Sequence, residues 1–237
     1  MTTDDRSSRE DALGRLAMYR ELQRAVPGLE TIYRLGAALV AGGPSPAPRV
    51  LVVGAGGGRE IETIRTAVPD AAMTAVDPSP DNLALARRIA GDVDKIQFVE
   101  GRVEELETDA SFDVATSFLV MHHLPDDGAK LAYLAAIRDR LAAGGSLLHA
   151  DICVEDATAF ETLVPLCEAH ARHIGARAEA VQLELRTVPT LPVVSPDRMG
   201  SLFVQAGLTP PQEVFRSLWY RCWISGRPLD ISKEQAA

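Results

Sequence analysis

Apolar and polar positions fall into two alternating rhythms along this chain. From Asp11 to about Ala41, apolar residues such as Leu13, Leu16, Leu22, Val26, Leu29, Ile32 and Leu39 recur at helical spacing, and Pro27–Gly28 breaks the run, which predicts two helices. Gly42–Pro48 reads as a linker. Short apolar runs at Val50–Val53, Met73–Val76, Ile96–Val99, Phe112–Phe118 and Ser146–Ile152 then predict five strands. Helical patterns separate them at Arg59–Ala67, from the Ser79 cap to about Ala90, and over Asp126–Ala142. Strict alternation of this kind predicts a parallel sheet covered on both faces.

After the fifth strand the rhythm changes. Glu155 to about Leu185 is one long alanine-rich helical stretch, Arg186–Val194 a proline-broken loop, and Ser195–Gly207 a further helix. Gln212–Ser217 and Trp219–Ile224 are β-like and nearly contiguous, which predicts an antiparallel hairpin at the sheet edge. The expected organisation is an N-terminal helical cap and linker over 1–48, then an α/β domain over 49–237 that includes a lid insertion at 155–194.

The first strand runs directly into Gly54, Ala55, Gly56, Gly57 and Gly58, a helix follows, and the second strand ends on Asp77. This strand, glycine turn, helix, strand, acid order is a nucleotide-binding βαβ unit. Glycines let a ligand approach backbone closely, and the acid can accept from both ribose hydroxyls. The spacing is not the G-x-G-x-x-G of dinucleotide enzymes, and it favours a ligand without a pyrophosphate, with S-adenosylmethionine (SAM) the leading candidate.

Composition narrows the picture. At 237 residues the chain can bury one sizeable core, and a net charge of −9 argues against non-specific binding to nucleic acid or anionic lipid. Cys153, Cys167 and Cys222 lack disulfide or metal-type spacing. The polar start and the lack of any run long enough to span a membrane make the cytoplasm the expected location.

Taken together, residues 49–225 resemble a class I SAM-dependent methyltransferase. That resemblance implies a seven-stranded Rossmann-like sheet in order 3-2-1-4-5-7-6, strand seven antiparallel. Gly54, Gly56 and Gly58 match its first motif, and Asp77 in A-V-D-P-S-P matches the acid of the second; the first motif's own acid is replaced by Val52. L-Q-R-A-V-P-G-L at Leu22–Leu29 and the closing S-L-W-Y-R-C-W-I-S are similar to the carboxy-SAM synthase branch. However, Leu29 and Leu202 stand where that branch places a cofactor-facing tyrosine and a carboxylate-binding arginine. An extra carboxylate near the sulfonium would lack its charge partner.

The resemblance also assigns expected roles. Gly54–Gly58 would hold the methionine portion and ribose, and Asp77 with Pro78 the ribose side. Val103 would offer its amide to the adenine, while Arg102, in place of an aspartate, either stacks on the ring or is a surface residue. Backbone at Ser117 and Phe118, ending the fourth strand, would meet the amino-acid end. His122, His123 and Asp151 lie at the C-terminal edge where ligands bind and are candidate catalytic groups, though a histidine of this phrase also serves to pack or cap. Tyr19, Arg24, His170, His173, Arg177 and Trp219 are candidate acceptor contacts or ordinary packing. Cys167, His170 and His173 recur every three residues, but nothing completes a metal site, and none is expected.

The expectation is a SAM-dependent transferase that methylates a small-molecule acceptor, with a family-like homodimer. The rivals are SAM consumption without methyl transfer, either cyclisation releasing methylthioadenosine or carboxy-SAM formation, and a non-catalytic SAM-fold partner protein. An NAD(P) oxidoreductase is disfavoured by the glycine spacing.

Overall fold

A computed structural model describes residues 14, 17, 21, 23–91, 94–107 and 111–229. Seven strands form one sheet: β1 Arg49–Val53, β2 Ala72–Asp77, β3 Ile96–Glu100, β4 Phe112–Phe118, β5 Leu141–Ile152, β6 Gln212–Ser217 and β7 Tyr220–Gly226. Their order is β3-β2-β1-β4-β5-β7-β6. The first five run parallel, and β7 is antiparallel to both β5 and β6. Order and strand sense are those expected from the sequence.

Among the described residues, seven helices accompany the strands: α1 Thr31–Ala41, α2 Arg59–Ala67, α3 Pro80–Ala90, α4 Ala129–Arg140, α5 Ala157–His173, α6 Ala178–Thr187 and α7 Pro196–Gln205. Strand alternation sends Val50, Val52, Thr116, Phe118 and Leu148 to one face, beneath Ile32, Ala37 and Val40 of α1 and Ile61 and Ile64 of α2. Leu51, Val53, Ala115 and Leu147 face the other way, against Tyr133, Leu134 and Ile137 of α4 and Met199, Leu202 and Phe203 of α7. Both faces are covered, so the strands read as continuous apolar runs.

Two boundaries differ from expectation. Helix α4 ends at Arg140, and β5 begins at once: Leu141 pairs with Phe112, and the ladder resumes at Ser146 opposite Val114. Gly145 crosses this irregularity so closely that a Cβ there would lie 2.9 Å from the Ala142 carbonyl oxygen. The long helical stretch after β5 is two helices, α5 and α6, separated around Gly175 at φ +65°. This excursion leaves and rejoins the sheet at neighbouring positions. Cys153 and Val194 form a parallel bridge, and Cys153 Sγ donates to the Val194 carbonyl at 3.0 Å. Phe160 and Cys167 of the excursion pack with Val26, Leu29, Trp219 and Tyr220 on the α1 face of the sheet.

One carboxyl sits inside this packing. Glu60, in the first turn of α2, is 4% exposed and faces Thr116 on β4. Burial raises its pKa to about 8, with Thr116 offsetting part of that rise. Because the folded chain holds Glu60 protonated above its unfolded value, its contribution is intact below about pH 4.5 and is lost as pH climbs to about 8. Replacing Glu60 by Gln keeps the shape and removes the titration. Urea titrations should show the stability gap moving in favour of Glu60→Gln across that window, by up to about 1.4 kcal/mol per pH unit. A pH-independent gap would contradict the buried, protonated carboxyl.

Candidate functional site

The C-terminal ends of β1, β2 and β4 meet around the glycine turn. Gly54 and Ala55 amides donate to the Val76 carbonyl at 2.8 and 3.1 Å, which fastens the turn to β2. Gly54 adopts φ +79°, and a Cβ on it would lie 2.3 Å from Val120 Cγ2. Gly58, the N-cap of α2 at φ +77°, would place a Cβ 2.9 Å from Ala86 Cα. The first glycine therefore admits the turn after β4, and the last admits α3 against α2.

Asp77 completes the turn. Its Oδ2 accepts from the Gly56 amide at 2.9 Å and its Oδ1 from the Ser79 amide at 2.9 Å, with Asn82 Nδ2 at 3.2 Å. The carboxylate thus organises the loop from within. Beside it lies a cavity of about 260 Å³ lined by Val53, Gly54, Val76, Pro78, Gly101, Arg102, Val103, Glu104, Val120, His123, Leu124 and Tyr133. Val103 opens a short 3-10 turn and is buried, whereas Arg102 is exposed and its amide donates to Glu105 Oε2 at 3.0 Å. An apolar slot beside a carboxylate and a glycine cradle has the shape and polarity that could hold an adenosyl group.

After β4 the backbone turns sharply. Leu119 is left-handed at φ +61°, and its amide donates to the Ala150 carbonyl at 2.8 Å. The turn Met121–His123 follows, and it brings His122 onto the end of β5. Asp151 Oδ1 lies 2.5 Å from His122 Nδ1, and Oδ2 accepts the His122 amide at 3.1 Å. Burial alone would raise the Asp151 pKa, but His122, His149 and the Ile152 amide overcome it and hold it near about 2. An ionised carboxylate only accepts, so Nδ1 is the ring nitrogen that carries a proton toward it.

The polar chain continues inward. His149 Nε2 lies 3.8 Å from Asp151 Oδ2, and His149 Nδ1 lies 3.0 Å from Ser117 Oγ, itself 2.7 Å from the Tyr133 hydroxyl. Burial drives the His149 pKa down to about 4, with Asp151 opposing. His123, its ring tilted against that of His122 at a 4.1 Å centroid distance, is exposed and lines the cavity. Burial, then His122 and Lys130, lower its pKa.

The remaining candidates are more scattered. Ser117 is turned toward Tyr133 and His149, and Phe118 packs edge-on to Tyr33 at 5.7 Å. Trp219 is wholly buried against Phe160, its Nε1 donating to Glu184 at 2.8 Å. His170 is half-buried, His173 and Arg177 are exposed, and Cys167 turns inward toward the Ala25 carbonyl. Arg24 is paired with Glu21, and Tyr19 lies outside the described residues.

Sequence reasoning missed three groups. Arg59, just after the glycine turn, donates to Gln23 Oε1 at 2.8 Å and lies 4.8 Å from the Tyr33 ring centroid. Glu184 of α6 accepts from Trp219 and from the Tyr220 hydroxyl, tying the excursion to the hairpin. Glu60 lies on the same sheet face as Val52, the position lacking the motif's acid, and Thr116 is the register partner of Val52. Among the described residues, neither Glu60 Oε1 nor Thr116 Oγ1 makes a well-formed hydrogen bond.

Residues 50–145 match the family profile described as a methyltransferase domain. No curated protein matches the chain. Among solved structures, human N-acetylserotonin methyltransferase in complex with SAM aligns over 89% of this chain and 56% of its own, at 16% identity and TM-score 0.56. An O-methyltransferase family protein from Burkholderia thailandensis aligns over 85% and 58%, at 16% identity and TM-score 0.58. From the same organism, 1,6-didemethyltoxoflavin-N1-methyltransferase, with its namesake ligand and S-adenosylhomocysteine bound, aligns over 84% and 79%, at 22% identity and TM-score 0.56. The chain thus spans little more than half the length of the first two.

Residues 50–145 carry the match to the methyltransferase-domain profile, and the chain as a whole shares the fold of the solved methyltransferases it aligns with. No helix among the described residues is long and apolar enough to cross a membrane.

If the turn and Asp77 hold the cofactor, Asp77→Ala removes a charged acceptor and the internal tie to Gly56 together. Calorimetry should show S-adenosylhomocysteine binding weakened by about 1–3 kcal/mol. Asn82→Ala, which removes only a side donor to Asp77, should lose less. Equal affinity in wild type and Asp77→Ala would exclude this site.

Proposed function

We propose that the protein is a SAM-dependent methyltransferase acting on a small-molecule oxygen or nitrogen acceptor, with His122 as its general base. The observation that carries this reading is the His122–Asp151 pair, with His122 two residues on from Val120, which packs on Gly54. SAM, when bound, supplies an electrophilic methyl group on a sulfonium. The chain's own residues do the rest. Gly54, Gly56 and Asp77 cradle the nucleoside, and the apolar slot from Val76 to Leu124 takes the base. Arg59 is placed to meet a carboxylate beyond the glycine turn. Asp151 orients His122 so that Nε2 can take the acceptor's proton, and Asp151 stabilises the imidazolium that results.

The excursion over 155–194 and the N-terminal helices serve as the lid in this reading, excluding water and supplying acceptor contacts. The 1–48 cap and 49–237 α/β division, a cytoplasmic location and a homodimer belong to the same proposal. The solved relatives named for N-acetylserotonin and 1,6-didemethyltoxoflavin favour a compact aromatic or heteroaromatic acceptor. Carboxyl transfer is not supported, since Leu29 and Leu202 are both buried in apolar clusters.

Incubation with SAM and a panel of phenols and N–H heteroaromatics, read by mass spectrometry, tests the reaction. S-adenosylhomocysteine and a product heavier by one methylene are expected; methylthioadenosine would instead mark cyclisation. With the best acceptor, His122→Ala should lower kcat by about 10²–10⁴-fold and leave S-adenosylhomocysteine affinity near wild type. An undiminished kcat would remove His122 from the chemistry.

A further inference from the structure

The turn that carries His122 is pinned by a lysine in a costly position. Lys130 lies in the first turn of α4, where the helix already presents partial positive charge, and it is 1% exposed. Burial lowers its pKa, while Asp151, Asp126 and Cys153 work in the opposite direction. Its Nζ donates to the Met121 carbonyl at 2.7 Å, on the residue immediately before His122. An apolar side chain would fill that volume without the cost of burying a charge. What Lys130 adds, then, is its grip on the turn and its positive charge.

We propose that Lys130 is a positioning residue for His122, holding its turn through the Met121 carbonyl and setting a fixed positive charge beside the His122–Asp151 pair. This rests on the reading of His122 as the base. The charges around the ring come from several elements. Asp151, His149 and Cys153 belong to β5, His123 shares the turn, Lys130 comes from α4 and Glu184 from α6. Asp126, just before α4, is already paired with Arg198, which donates to it at 2.8 and 2.9 Å. Burial and its two hydroxyl and indole donors dominate Glu184, whose pKa is raised.

The charge balance then gives the sign. With Asp151 ionised and Lys130 protonated, this pair is neutral as long as His122 is neutral. A proton on His122 leaves a net positive charge away from water. Without Lys130, the same proton would neutralise Asp151, and His122 would hold it more tightly. The lysine's fixed charge therefore opposes that proton, while Asp151 keeps the imidazole correctly turned.

Imidazole nitrogen NMR on the full chain with S-adenosylhomocysteine present reads this directly. In Lys130→Gln, which can still donate to Met121, the midpoint of the His122 titration should rise by about one pH unit. Lys130→Arg should keep it near the wild-type value. An unchanged midpoint in Lys130→Gln would overturn the charge role. Should the variants fail to fold, lysine side-chain nitrogen NMR of the wild-type protein decides: a protonated Lys130 at pH 7 is required, and a neutral amine refutes the proposal. The two readings fail separately. These titrations need no turnover, whereas the catalytic role of His122 stands or falls on the His122→Ala assay.

Discussion

Asp151 is an ionised carboxylate with almost no access to water, and the end of the sheet is arranged to carry that charge. Stripping a carboxylate of solvent costs several kcal/mol unless its lone pairs are filled. Here the His122 ring and amide and the Ile152 amide do so, with the His149 ring 3.8 Å away. Each of these groups is fixed by something else. His122 rides on a turn held by Lys130, and His149 is tied through Ser117 to Tyr133. The requirement to neutralise one buried charge thereby couples β4, β5, the turn after β4 and the first half of α4.

The same turn reaches the glycine cradle. Val120 packs against Gly54 so closely that no side chain fits there, and His122 follows two residues later. The left-handed Leu119 makes this reversal possible, at a backbone cost usually confined to functional segments. A nucleoside pocket and a candidate base are thus carried on one short, strained piece of chain. For a displacement whose rate depends on alignment, a fixed spacing between the two matters more than strong side-chain acids.

Much of this was legible in the sequence, and what was not shares one cause. The glycine turn, Asp77 and the hairpin are encoded in residues adjacent along the chain, and the strand order followed from the family resemblance. His122 and Asp151 could each be placed at the sheet edge, but their pairing across 29 positions is a product of register. Glu60 and Lys130 fall in first turns of amphipathic helices, where charged residues normally face solvent, so nothing local marks them as buried. The break between α5 and α6 hides in an alanine-rich stretch with a single glycine. The early start of β5 hides because Leu141–Gly145 reads equally well as the end of a helix.

The bridge between Cys153 and Val194 has a consequence for how such a chain can diversify. Everything between those residues departs from and returns to nearly the same point, and Phe160, Cys167 and Glu184 are what fasten it to the sheet and hairpin. The entropic penalty for joining two such ends grows only slowly with the number of intervening residues. A segment of another length that kept those contacts could be spliced in there without disturbing the cavity beside the glycine turn or the buried carboxylate. Selection can rewrite that segment while leaving untouched the glycine turn and the buried carboxylate.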